Sequence, residues 1–212
     1  MNPVISPKDF FEQSSVIDSY RGLTCWMLYS DMHRKLSNYI RENWNAIDAM
    51  SGYRCLLCLL DQPTKWEDPY WKHAKIKPHL GDLLKSRPFD RNESFTIADS
   101  LGVPYADMPA FVFFPSVHSS TKVLVKIDNI SNDDELTSVF SKTMDCVRTV
   151  VQNSRFNEIS DQAELVQERE NCLHRLEPMI NRQRFSSVVY KIVSPTTILA
   201  AVEVAAGLYI GK

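Results

Sequence analysis

Leu101-Gly102-Val103-Pro104-Tyr105-Ala106-Asp107-Met108-Pro109-Ala110-Phe111-Val112-Phe113-Phe114 is the stretch on which the reading of this chain turns. It reads as a helix end, a short loop, a Met-Pro step and then an uninterrupted apolar run of strand length, as suits a strand buried on both faces. Pro109 is tolerated because it stands at the start of the strand; proline cannot donate to a sheet ladder, so the middle of the strand is closed to it. An X-Pro bond in a tight turn before a strand is also the usual place for a cis peptide, because proline lowers the cost of cis to roughly 0.5–1 kcal/mol.

Downstream, Pro115-Ser116-Val117-His118-Ser119-Ser120 is a polar turn, and Thr121-Lys122-Val123-Leu124-Val125-Lys126-Ile127 alternates as a half-exposed antiparallel partner. Asn132-Asp133-Asp134-Glu135 then caps an amphipathic helix running through Leu136, Val139, Phe140, Met144, Val147 and Val150, with its acids suited to the N-terminal dipole. Upstream, Ser94 to Val103 reads as a short helix. Leu23 to Tyr29 is an apolar strand, and Ser30-Asp31 is a plausible helix cap directly after it. Leu36, Tyr39, Ile40, Trp44 and Ile47 recur at helical spacing up to Gly52, which is available for a left-handed cap, and Tyr53 to Asp61 reads as a second buried strand. Two strands joined by a crossover helix make a parallel pair.

This order of elements, with a helix ending in Leu-Gly-Val, a loop, a proline and two further strands, resembles a thioredoxin-like domain over roughly residues 23–152. The resemblance implies an α/β fold with a mixed four-stranded sheet flanked by helices. It also implies a cis Met108-Pro109 bond facing the loop after the first strand, so that Ser30, Asp31, His33, Met108 and Pro109 are the expected binding residues. A redox member of that family carries Cys-x-x-Cys in this loop, where a helix N-terminus lowers the thiol pKa. Here the loop is Ser30-Asp31-Met32-His33. Disulfide exchange by the usual route is therefore not available, no catalytic residue is assigned, and no cofactor is expected.

Cys55 and Cys58 do form a Cys-x-x-Cys, but inside a strand, where residues three apart point to opposite faces and cannot readily share a disulfide or a metal. Cys25 likewise falls within a strand as a small buried hydrophobe. No second thiol or histidine pair stands at zinc-ribbon spacing, and His73 and His79 lack acid or thiol partners, so no metal site is expected. Five free cysteines, with Asp9, Glu12 and Asp18 interrupting any apolar leader, suit a reducing cytoplasm. The composition, 44% hydrophobic and 24% charged, is that of a globular protein; a net charge of −2 with dispersed lysines and arginines gives no reason to expect nucleic acid.

The flanks complete the layout. Residues 1–22 read as a lead-in with one short helix covering an edge of the domain, and 153–212 as a helical C-terminal extension. Within the domain, about 61–94 is an insertion broken by prolines, with Trp66, Tyr70 and Trp71 interleaved with Lys65, Lys72, Lys75 and Lys77. In the extension Ile159, Val166, Leu173 and Ile180 recur every seven residues, but Gln162 and Arg169 at intermediate positions speak against a true coiled coil. Ile198 to Ile210, including Leu199 and Val202, is apolar but too short to span a bilayer and carries Glu203 at its middle; burial or a protein contact is favoured over membrane contact.

The preferred function is accordingly a redox-inactive interaction or scaffold module, favoured over an enzyme. It would bind a protein partner or assemble with itself through Ile159, Val166, Leu173, Ile180, Leu199 and Val202. The alternatives are a small-ligand or thiol-dependent enzyme using the Ser30, His33 and Met108-Pro109 corner, and nucleic-acid binding through the Trp66 to Lys77 insertion.

Overall fold

The computed structural model describes residues 2–3, 14–60, 91–127, 132–183 and 189–193. In chain order the elements are β1 (Asn2–Pro3), α1 (Ser14–Asp18), β2 (Leu23–Leu28), α2 (Arg34–Glu42), α3 (Trp44–Ser51), β3 (Cys55–Leu59), α4 (Arg91–Leu101), a single 3-10 turn (Tyr105–Asp107), β4 (Ala110–Phe114), β5 (Thr121–Lys126), α5 (Asp133–Gln152), α6 (Gln162–Arg182) and β6 (Val189–Val193). This is an α/β protein with one mixed sheet of order β1-β3-β2-β4-β5-β6.

The four strands expected from the sequence form the centre of that sheet. β2 runs parallel to β3, and β4 runs antiparallel to both β2 and β5. Two further strands extend it. Asn2 and Pro3 pair in parallel with Cys58 and Leu59 at one edge, and Val189 to Val193 pair antiparallel with β5 at the other. The lead-in and the C-terminal part thus belong to the same sheet as the central strands.

Every residue of β2 and β4 is buried, because helices cover both faces of the sheet. On one face Cys25, Met27, Cys55, Leu57, Phe111, Phe113, Val123 and Val125 pack with residues of α2, α3, α5 and α6. Phe140 of α5 meets Phe111 edge-on, with ring centroids 4.9 Å apart. On the other face Trp26, Leu28, Cys58, Val112, Phe114 and Leu124 pack with Ile17 of α1 and with Ile97, Ala98 and Leu101 of α4. The alternation of β5 places Lys122 on this second face beside Leu124, fully buried, with its Nζ donating to the Ser119 carbonyl at 2.8 Å. The half-exposed strand expected here is therefore covered on both sides.

The helix ends follow their local chemistry. Asn132 and Asp161 cap α5 and α6 by accepting from the N–H of Glu135 and Glu164 at 2.9 and 3.0 Å. Gly52 and Gly102 end α3 and α4 at positive φ, +53° and +66°, where a side chain would be strained. The single long helix expected after β2 is broken at Asn43 into α2 and α3. Asn43 Nδ2 donates to the Tyr39 carbonyl at 3.0 Å, the kind of local side-chain bond that competes with helix continuation.

The seven-residue spacing in α6 calls for a correction. Ile159, Leu173 and Ile180 are buried in the chain's own core and Val166 is half-buried, so this apolar face is occupied by the sheet and α5 and is not open to a partner. Its real stripe is Leu165, Cys172, Leu173, Leu176 and Ile180, with Arg169 as its one cation. Leu199 and Val202 lie outside the described residues, as do Trp66, Lys72, Lys75 and Lys77.

Candidate functional site

β2 delivers Ser30 at its C-terminal end, and α2 begins four residues later, so Ser30-Asp31-Met32-His33 forms the turn between them. The His33 N–H donates to the Ser30 carbonyl at 3.0 Å, which closes the turn. Its imidazole folds back over it: Nδ1 accepts from the Ser30 N–H at 3.1 Å and lies 3.2 Å from the Ser30 hydroxyl. That leaves the proton of the neutral ring on Nε2. The backbone of Met108 acts on the same ring and favours its protonated form.

His33 therefore stands where the loop after β2 approaches the loop before β4. The second loop is built by the 3-10 turn, in which the Met108 N–H donates to the Tyr105 carbonyl at 3.2 Å, and it ends in a cis Met108-Pro109 bond. The Pro109 carbonyl accepts from the Ile127 N–H at 2.7 Å, tying the loop to the end of β5. Asp107 lies 3.9 Å from the ammonium of Lys126. Tyr105 packs on Phe95 of α4, with centroids 4.6 Å apart, and its hydroxyl donates to Asp99 at 2.6 Å.

The structure thus brings together Ser30, His33, Met108 and Pro109. Ser30 and Met108 are buried, His33 and Pro109 are half-buried, and Asp31 is exposed on the same turn. Burial pulls the His33 pKa below the ordinary histidine value, while the Ser30 and Met108 backbones and the Asp31 carboxylate act in the opposite sense. Flanking the corner are two large exposed apolar side chains, Met32 at 67% and Tyr105 at 50% relative exposure; among the described residues the third of this kind is Tyr53, after α3. Neither Met32 nor Tyr105 stands out in the sequence, since a single apolar residue in a loop carries no periodicity.

The thiols lie elsewhere. All five cysteines are free and buried. Cys55 and Cys58 face opposite sides of the sheet, Cys55 among the residues under α2, α3, α5 and α6 and Cys58 among those under α1 and α4. The partner of Cys55 is Cys25 on the neighbouring strand; burial first, then its interaction with the Cys55 side chain, raise the Cys25 pKa well above its usual value. Thiolate formation is thereby suppressed. Among the described residues no group of histidines, cysteines and carboxylates is arranged to hold a metal ion. Nor is any helix among them long and apolar enough to cross a membrane.

Fold and site define an α/β protein with a mixed sheet and a thiol-free corner beside a cis proline. In comparisons with known proteins the chain matches no family model, no curated protein and no solved structure.

Proposed function

We propose that this chain is a redox-inactive, thioredoxin-like interaction module that binds an extended polypeptide segment of another protein at the His33 corner. The central strand order β3-β2-β4-β5, with one parallel and two antiparallel pairings, supports the thioredoxin-like reading, as does the approach of the loop after β2 to Met108-Pro109. The observation that carries the binding function is the exposure of Met32 and Tyr105 on the two loops that approach each other at His33. Large apolar side chains at a rigid corner lose area to water that a partner's apolar side chain recovers. Backbone groups at loop edges offer an extended chain hydrogen bonds that need no particular sequence.

Thiol chemistry is a poor alternative, because an exchange reaction needs an accessible thiolate and all five thiols are buried. A reducing compartment such as the cytoplasm suits five unpaired thiols. The partner-binding surface is assigned to the corner because the apolar stripe of α6 is used in the core.

The test is selection of peptides from a random displayed library on the full chain, followed by calorimetric affinities for the wild type and for Met32→Ser and Tyr105→Ser. Selected peptides are expected to lose at least about tenfold in affinity with either variant. Peptides that bind both variants as tightly as the wild type, or turnover of a disulfide substrate by the purified protein, would overturn the reading.

A further inference from the structure

We propose that Arg21 and Arg155, two exposed arginines whose backbones are gripped by consecutive residues of α6, form a docking site for a carboxylate-rich polypeptide segment of a partner protein. The site lies at the entry to β2, at the other end of that strand from the His33 corner, and goes beyond the function proposed for the corner.

The grip on each arginine comes from inside the fold. Arg169 is fully buried, and its guanidinium donates to the carbonyls of Tyr20 and Gly22, the residues on either side of Arg21. Glu168, the residue before it, is buried as well and accepts from the Arg155 N–H at 3.2 Å. Both arginines are thereby fixed in the main chain while their side chains stand in water. The two segments touch through Arg21 itself, whose Nη1 donates at 3.4 Å to the carbonyl of Asn157, just beyond Arg155.

Further guanidinium groups extend the patch. Arg175 of α6 donates to the Asn153 carbonyl at 3.1 Å, and Arg54 lies 4.5 Å from the ring centroid of the exposed Tyr53. The Arg54 carbonyl accepts from the Leu23 N–H at 2.9 Å, so this residue stands on the strand beside the entry to β2. Among the described residues the carboxylate that meets one of these four arginines is Glu168, 3.6 Å from Arg175 and with its side chain 8% exposed. Arg21, Arg54 and Arg155 thus present positive charge that no described carboxylate offsets by contact.

A guanidinium is a planar fork that gives a carboxylate two parallel N–H···O bonds. Backbones fixed before binding lose little freedom when those bonds form. The surrounding charge selects polypeptide over nucleic acid. Glu158 in the same loop and Glu164 in the first turn of α6 are exposed, and the whole chain carries −2. An evenly charged phosphate backbone would be repelled by these acids, whereas a polypeptide can set its carboxylates opposite the arginines alone.

The test is calorimetric binding of a hexaglutamate peptide to the full chain at low salt, for the wild type, Arg21→Gln, Arg155→Gln and the double variant. Arg34→Gln serves as the control, because it removes one exposed charge from α2, beyond the other end of β2. Each single variant at the site is expected to weaken binding about threefold and the double variant roughly tenfold, with Arg34→Gln unchanged. Affinity should fall as salt rises, and all variants should melt with the wild type because only exposed side chains change. Absence of binding to the wild type, an affinity indifferent to the double variant, or an equal loss in Arg34→Gln overturns the site. Tighter binding of an oligothymidylate through the same arginines overturns the choice of a polypeptide partner.

Discussion

The guanidinium of Arg169, midway along α6, donates through Nε to the carbonyl of Gly22 at 2.9 Å, joining residues 147 positions apart at the entry to β2. The same group also donates to the carbonyls of Pro115, Ile17, Asp18 and Tyr20. It is fully buried, and burial pulls its pKa down to about 10, so it stays charged near neutral pH, with the Asp18 charge in support. Asp18 is itself held by the Ser116 hydroxyl at 2.9 Å and the Val117 N–H at 3.2 Å. One side chain of the C-terminal helix thus fastens the connection from α1 to β2 and the turn between β4 and β5.

Arg169→Met leaves those carbonyls without a donor and the buried Asp18 without its cation. It is expected to cost about 3–5 kcal/mol, read as a lower urea midpoint with unchanged slope. Arg169→Lys should recover only part of this, because an ammonium cannot reproduce the five-donor fork.

A chain ending at Gln152 loses Arg169 together with Leu165, Cys172, Leu173, Leu176 and Ile180 from the core. Burial of each large aliphatic side chain is worth about 1.5–3 kcal/mol, so the shortened chain should show no cooperative thermal transition. A sharp melt with well-dispersed amide resonances would show instead that α6 is dispensable.

Lys122 contributes a pH dependence of stability. Burial depresses its pKa from 10.5 to about 8, so between these values the unfolded chain binds more protons than the folded one and stability rises with pH. Below about pH 8 the cost of the buried charge is constant. Lys122→Met should therefore raise the urea midpoint at pH 7, and its advantage over the wild type should shrink between pH 8 and pH 10.5. A constant difference across that range would mean that Lys122 does not titrate as described.

The native thiols should resist alkylation. Burial raises the pKa of Cys25 and Cys146 and takes Cys172 up to about 11. Reaction with an aromatic disulfide reagent near neutral pH is expected to proceed at the rate of global opening and to go to completion in denaturant. Rapid modification of Cys25 or Cys55 in the native protein would contradict their placement.

Gly22→Ala is expected to destabilise by about 1–3 kcal/mol, seen as a lower Tm. A Cβ at Gly22 would stand 2.7 Å from the Arg54 carbonyl oxygen, which is fixed by its bond from the Leu23 N–H at 2.9 Å.

The sequence by itself determined the central strands, the parallel pairing of β2 with β3, the caps at Asn132 and Gly52, and the opposite facing of Cys55 and Cys58. These follow from local periodicity and cap chemistry, which a chain carries wherever it folds. Only the tertiary structure decided the rest. Arg169 interrupts the stripe of α6 as a sequence, yet it is the residue that ties that helix to the domain, because its acceptors are backbone carbonyls and carry no residue signature. Lys122 reads as the polar side of a half-exposed strand, and only the packing on the second face of the sheet buries it. Ile159, Leu173 and Ile180 have the spacing of an interface, and whether such a face meets a partner or its own chain depends on what lies opposite. The His33 corner was half legible: the Ser30 and Met108-Pro109 loops could be matched by resemblance. The fold alone brings them together at His33, with Met32 and Tyr105 left in water on either side.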